Sequence, residues 1–152
     1  MLFAQEFFPF APKTIMPAIK EKIGEWAEPA RKTCRILYVD DLPGLREVTR
    51  ITLAADGHAI ECAADASQAM TRLADQPFGF DLVITDHCMA GTSGLELVEW
   101  LRALAYTGKI LVLTAEANPA ISDAYRRLRV DGIVYKPTWP SELRQIVNDL
   151  MG

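Results

Sequence analysis

Short apolar runs alternate with longer amphipathic stretches from Cys34 to the end of the chain. The apolar runs predict strands, because each is short, six or seven residues long, and rich in aliphatic and β-branched side chains. The stretches between them have apolar residues at three- and four-residue spacing and predict helices. The predicted strands cover 35–41, 58–64, 81–86, 109–115 and 132–137. The predicted helices cover 43–57, 65–75, 93–104, 118–132 and 139–152.

The first and third predicted helices have informative ends and faces. In the first helix the spacing places Leu45, Val48 and Leu53 inward, and Gly57 marks its end. In the third helix Ser93 and Glu96 stand at the spacing of a capping box, in which each residue satisfies a backbone amide.

Strands that are almost continuously apolar and alternate with helices predict a parallel sheet covered on both faces. Right-handed crossovers leave few topologies for five such units. The sequence therefore predicts an α/β fold with a doubly wound, five-stranded parallel sheet in the flavodoxin-like order 2-1-3-4-5.

Residues 1–33 differ in composition from the rest and form an N-terminal extension. They hold four of the nine prolines and five Lys or Arg against four Glu. Within them Ile15, Ile19, Ile23 and Trp26 recur at helical spacing, which indicates either a short amphipathic helix or a partly ordered tail. A helix with this stripe would need a covering surface, and a second copy of the chain, in a homodimer, is preferred to its own domain.

Composition and net charge exclude some classes of partner and indicate a cellular compartment. The net charge of -4 provides no basic excess for nucleic acid, so no direct nucleic-acid partner is predicted. No apolar run approaches the ~20 residues needed to span a bilayer, so no membrane partner is predicted. The three cysteines form no paired motif and are expected to be reduced thiols of a cytoplasmic protein. Because no second His or Cys stands at ligand spacing, no transition-metal site is predicted.

Four of the predicted strands end on polar residues that carry chemistry: Asp40 and Asp41, Asp86, Thr114 and Lys136. In open α/β sheets, ligands bind outside the carboxyl ends of the strands, near the point where the strand order reverses. The three aspartates are expected to meet at that point, although Asp40 and Asp41 could instead cap the first helix.

Three carboxylates in one pocket repel one another unless a cation joins them. An all-oxygen ligand set suits Mg²⁺, which commonly takes one or two carboxylates together with a phosphate oxygen. An aspartate can hold phosphorus as an acyl phosphate. Lys136 and the Thr114 hydroxyl would then face the transferred group, because phosphoryl transfer depends chiefly on positioning and electrostatics.

These residues, in this order and spacing, resemble a two-component response-regulator receiver domain over residues 34–152. The matching positions are Asp40-Asp41 with Pro43, Asp86 with Met89 and Gly94, Thr114-Ala115, and Lys136-Pro137. The resemblance implies a phosphoacceptor rather than an enzyme, limited to intrinsic autophosphorylation and dephosphorylation. Its phosphodonor would be a sensor histidine kinase or a histidine phosphotransferase.

The resemblance also assigns roles to individual residues. Asp86 would accept the phosphoryl group. Asp41, Asp86 and the backbone carbonyl of Cys88 would hold Mg²⁺, and Asp40 would act through water. Thr114 and Lys136 would sense the phosphoryl group, and the Lys136-Pro137 peptide bond would be cis.

Several positions depart from the family pattern. Ala90 replaces the usual proline four residues after the phosphoacceptor, and Ile133 replaces the aromatic residue that often switches with Thr114. Cys88 and Glu116 occupy the positions whose side chains flank the hydrolytic water, which leaves the lifetime of the acyl phosphate open.

The chain ends at Gly152, directly after the fifth predicted helix. This position predicts a single-domain receiver or a fragment of a longer protein. A single-domain receiver would signal by protein contact, through the face of its fourth helix, fifth strand and fifth helix. That face is expected to include Tyr125, Arg126, Arg129 and Ile133.

Two other classes of function compete with a phosphorylatable receiver. A binding module with the receiver fold, no longer switched by phosphorylation, is motivated by Ile133, Ala90 and the N-terminal extension. A phosphatase of the haloacid dehalogenase type would need an aspartate where Cys88 stands, and a flavin protein would need a phosphate-binding loop after the first strand.

Overall fold

The computed structural model describes residues 32–152, in which a five-stranded parallel sheet alternates with five helices. The strands are β1 (Arg35–Val39), β2 (Ala59–Ala63), β3 (Leu82–Asp86), β4 (Lys109–Thr114) and β5 (Gly132–Tyr135). The helices are α1 (Pro43–Ala54), α2 (Ala66–Asp75), α3 (Gly94–Ala103), α4 (Pro119–Arg127) and α5 (Pro140–Met151). The strand order β2-β1-β3-β4-β5 confirms the predicted topology.

The sheet separates two apolar layers, because alternate side chains of each strand point to opposite faces. On β1, Leu37 and Val39 pack with residues of α2, α3 and α4, whereas Ile36 and Tyr38 pack with residues of α1 and α5. All four side chains are buried, which explains the continuous apolar run in the sequence.

The predicted third helix begins where its sequence indicates. Ser93 is the N-cap of α3, and its hydroxyl accepts a hydrogen bond from the Glu96 amide at 3.2 Å. Since the first amides of a helix have no partner within it, this contact fixes the point at which the chain turns away from β3.

The prediction that Leu45 and Val48 face inward is wrong. They are 42% and 46% exposed, and the residues of α1 that are buried are Thr49 and Leu53. Leu45 and Val48 instead line one wall of a hollow of about 390 Å³, whose other wall includes Leu143 of α5. The apolar sector of α1 is wider than the strip that the sheet covers, so spacing alone could not identify the buried part.

The predicted amphipathic helix of the N-terminal extension lies outside the described residues. Within residues 32–152, no helix is both long enough and apolar enough to cross a membrane.

Candidate functional site

The polar residues predicted at the strand ends lie at the carboxyl edge of the sheet. Asp40 follows β1, Asp86 ends β3, Thr114 ends β4 and Lys136 follows β5. Since β1, β3, β4 and β5 are consecutive neighbours, these four residues lie side by side along one edge.

Three carboxylates form the centre of the site. One oxygen from each of Asp40, Asp41 and Asp86 lies within 4.8 Å of the other two. Asp40 is completely buried, and its two oxygens accept hydrogen bonds from the Tyr38 hydroxyl and the Leu42 amide, both at 2.9 Å. Asp40 is therefore a fixed member of the cluster and not the N-cap of α1, which is Leu42.

Lys136 contributes a positive charge to the cluster. Its Nζ lies 3.0 Å from Oδ2 of Asp86 and 3.8 Å from Oδ2 of Asp40. The peptide bond between Lys136 and Pro137 is cis, as the resemblance implied. The lysine reaches the carboxylates from the edge strand of the sheet, across the end of β4.

Burial raises the pKa of Asp86 above its ordinary value. The hydrogen bond and charge of Lys136 lower the pKa, whereas the charges of Asp40 and Asp41 raise it further. The single positive charge of Lys136 thus does not offset the free-energy cost of holding ionised carboxylates together in a partly desolvated pocket. A hard divalent cation fits this donor set, because it would neutralise carboxylates that the protein alone leaves in excess.

The raised pKa of Asp86 predicts a pH-dependent difference between the wild type and Asp86→Asn in the presence of a chelator. The folded state disfavours ionisation of Asp86 relative to the unfolded chain, so the wild type loses stability as the pH rises through the folded pKa. Below about pH 4, where an ordinary aspartate is protonated in both states, this loss is absent. The thermal midpoint of the variant relative to the wild type should therefore increase from pH 4 to 7. A pH-independent difference in thermal midpoint would contradict the assignment.

Thr114 is buried at the end of β4 beside the acidic cluster. Its hydroxyl oxygen accepts a hydrogen bond from the Glu116 amide at 3.0 Å. Because the oxygen acts there as acceptor, the hydroxyl proton can be donated to a further oxygen, such as that of a phosphoryl group.

The side chain of Ile133 and the thiol of Cys88 make their contacts with residues other than the three carboxylates. Ile133 pairs with Val112 in the sheet and packs against the apolar core below α4. The thiol of Cys88 donates a hydrogen bond to Oε1 of Glu116 at 3.4 Å. Burial and this hydrogen bond raise the pKa of the Cys88 thiol.

The prediction that Tyr125 belongs to the exposed surface of the fourth helix, fifth strand and fifth helix is wrong, because Tyr125 is fully buried. Its hydroxyl lies 2.5 Å from Nδ1 of His87, the residue that directly follows Asp86. The contact links α4 to the loop after β3. The helical spacing of apolar residues in α4 could have indicated that Tyr125 is buried. No local pattern in the sequence identifies His87 as its hydrogen-bond partner.

Gly94 lets α3 approach the end of β3 very closely. A Cβ atom at this position would lie 2.4 Å from the backbone oxygen of Asp86 and 3.0 Å from the hydroxyl of Tyr125. The space behind the acidic cluster is therefore filled by backbone, and Gly94 is required for space.

Comparison with known proteins agrees with this geometry. The family model described as the response regulator receiver domain matches residues 36–148. The two-component response regulator PhoP of Pseudomonas aeruginosa is 31% identical over 117 residues, which are 77% of this chain and 51% of PhoP. The two-component response regulator ORR41 of Oryza sativa subsp. japonica is 30% identical over 120 residues, which are 78% of this chain and 94% of ORR41.

A solved structure of the chemotaxis protein CheY4 of Vibrio cholerae superposes with a TM-score of 0.71 at 28% identity. The match covers 78% of this chain and 99% of CheY4. Among the curated relatives, PhoP is much longer, and this chain spans about half of its length.

Proposed function

Because this chain belongs to the response regulator receiver domain family, we propose that Asp86 accepts a phosphoryl group from a phosphohistidine and that the phosphorylated chain signals by protein contact. Receiver domains act in two-component systems and pair with sensor histidine kinases. The donor proposed for this chain is a sensor histidine kinase or a histidine phosphotransferase.

One observation supports this assignment above the others: Asp86 is the carboxylate that lies within 3.0 Å of Lys136 inside the acidic cluster. In the proposed step an oxygen of Asp86 attacks the phosphorus, the phosphorus–nitrogen bond of the phosphohistidine breaks, and the imidazole leaves with that electron pair. Lys136 stabilises the negative charge of the phosphoryl oxygens, and the Thr114 hydroxyl donates a hydrogen bond to one of them.

The proposed metal is Mg²⁺, held by the carboxylates of Asp41 and Asp86 and by the backbone carbonyl of Cys88, with Asp40 acting through water. The bound ion would supply positive charge for the transferring phosphoryl group. Incubation with Mg²⁺ and a small phosphodonor, read by intact mass, tests both the intrinsic autophosphorylation and the metal dependence.

The proposed output surface is the face of α4, β5 and α5. On it Arg126, Ile133 and Tyr135 border a shallow hollow of about 270 Å³. The hydroxyls of Tyr135 and Ser122 lie 2.8 Å apart and connect β5 to α4. A change in the position of α4 would thus be transmitted to β5 through this hydrogen bond.

A second candidate is a receiver-fold binding module that phosphorylation no longer switches. The aliphatic Ile133 favours this candidate, because a packed isoleucine cannot rotate between two environments as an aromatic ring can. If phosphorylation leaves the NMR signals of the backbone amides in α4 and β5 unchanged, that result would support the binding module. A phosphatase of the haloacid dehalogenase type is less supported, because Cys88 occupies the position of its second aspartate.

The proposed location is the cytoplasm. Cys34, Cys62 and Cys88 are all free thiols, which suits a reducing compartment.

We also propose that the N-terminal extension, residues 1–33, pairs two copies of the chain. The supporting observation is the stripe of Ile15, Ile19, Ile23 and Trp26 in the sequence. The full chain should show twice the monomer mass by light scattering at high concentration, whereas a chain starting at Lys32 should remain a monomer. Two monomers, with rapid proteolysis of the first 31 residues, would contradict the pairing.

A further inference from the structure

A second group of metal-binding side chains lies beside the acidic cluster and has different chemistry. His87 and Cys88 follow β3, and Glu116 follows β4. One ligand atom from each of these three residues lies within 4.8 Å of the other two. Imidazole, thiolate and carboxylate are the ligands of zinc in proteins, whereas Mg²⁺ prefers oxygen alone.

The spacing within the group fits a tetrahedral metal. Bonds of about 2.3 Å to sulfur and about 2.1 Å to oxygen, at a tetrahedral angle, place the two ligand atoms roughly 3.6 Å apart. Sγ of Cys88 lies 3.4 Å from Oε1 of Glu116. The side chains of Cys88 and Glu116 are both exposed and can rotate. Rotation can bring their ligand atoms from within 4.8 Å of the His87 ring nitrogen to roughly the spacing of a tetrahedral site.

His87 is held in place for such a role. Its amide donates to the carbonyl of Leu113 at 2.8 Å, and its carbonyl accepts from the amide of Gly94 at 3.1 Å. Its Nδ1 lies 2.5 Å from the hydroxyl of Tyr125, which is fully buried and therefore fixed. A histidine ligand usually has its second ring nitrogen bound to such a partner, which sets the orientation of the ring. One ring nitrogen of His87 lies within 4.8 Å of Sγ of Cys88 and of a carboxylate oxygen of Glu116, so the held ring faces the group.

We propose that His87, Cys88 and Glu116 form a second metal site, selective for a divalent transition metal such as Zn²⁺ and separate from the Asp40–Asp41–Asp86 cluster. The three side chains supply three ligands, and water supplies the fourth. This site needs no phosphoryl group, so it does not depend on the proposed phosphoacceptor function.

In excess Mg²⁺, which would fill the acidic cluster, the full, reduced chain should bind one equivalent of Co²⁺ after treatment with a chelator and its removal. Binding should produce the near-ultraviolet absorption of a cobalt–thiolate bond. All cysteines and histidines of the sequence lie within the described residues, so no further Cys or His can come from the N-terminal extension. Zn²⁺ should displace Co²⁺ and abolish the band. Its affinity is measured by competition with a chromophoric chelator.

Cys88→Ser should remove the cobalt–thiolate band, and both Cys88→Ser and Glu116→Gln should weaken Zn²⁺ binding at least tenfold. Both residues are exposed, so circular dichroism should show the fold unchanged. Cys62→Ser is the matched control for a thiol outside the group, and Asp123→Asn is the control for an exposed carboxylate outside it. Both controls should retain the band and the Zn²⁺ affinity. The proposal is overturned if the wild type gives no cobalt–thiolate band, if Cys88→Ser binds Zn²⁺ as tightly as the wild type, or if Cys62→Ser removes the band.

Discussion

Replacing Asp86 with alanine should abolish the single phosphoryl adduct that the chain acquires on incubation with Mg²⁺ and acetyl phosphate. Asp40 cannot replace it, because Asp40 is completely buried and both its oxygens already accept hydrogen bonds. Asp41 is not expected to replace it, because the ion pairs of Lys136 go to Asp86 and Asp40, and the charge that would stabilise a phosphoryl group therefore lies beside Asp86. The expected loss is complete.

Intact mass spectrometry measures this loss directly. The wild type should gain the mass of one phosphoryl group, in an adduct that is stable in acid and labile in base, as an acyl phosphate is. Asp123→Ala is a suitable control, because Asp123 is an exposed carboxylate of α4 that pairs with Arg126. An adduct that persists in Asp86→Ala and carries the same chemical lability would place the phosphoacceptor elsewhere.

Replacing Asp41 with asparagine should weaken Mg²⁺ binding at least tenfold, which corresponds to about 1.4 kcal/mol. The variant loses one of the negative charges that attract the ion, and phosphorylation should lose most of its Mg²⁺ dependence. In a chelator the same variant should unfold at a higher temperature than the wild type, because the charge of Asp41 contributes to the raised pKa of Asp86. Metal affinity and metal-free stability should thus change in opposite directions.

Calorimetric titration with Mg²⁺ and thermal unfolding in chelator test the two halves of this prediction. Asp123→Asn removes an equal charge outside the cluster and should change neither quantity appreciably. Equal Mg²⁺ affinity in Asp41→Asn and the wild type would show that the ion binds elsewhere.

The topology and most of the carboxylate site could be predicted because they depend on patterns of short range. Each strand is a short apolar run, and each polar residue of the site directly follows or ends such a run. With the strand order 2-1-3-4-5 that is expected for a doubly wound sheet of this size, the meeting of Asp40, Asp41 and Asp86 follows from the geometry of a parallel sheet.

Contacts between side chains on different elements could not be predicted in the same way. Leu45 and Val48 match the helical spacing, but which side of α1 the sheet covers depends on how α1 and α5 are placed. The pairing of His87 with Tyr125 joins residues from two units of the fold. Glu116 likewise meets Cys88 only when β3 and β4 are adjacent, so ligand spacing along the chain could not reveal their group.

The acidic cluster and its lysine are supplied by the ends of separate strands. The site is therefore complete only when these strands are paired in the sheet. A chain from which the edge strand β5 has detached would no longer hold Lys136 within 3.0 Å of Asp86. The proposed transfer of phosphate to Asp86 would therefore require an intact sheet.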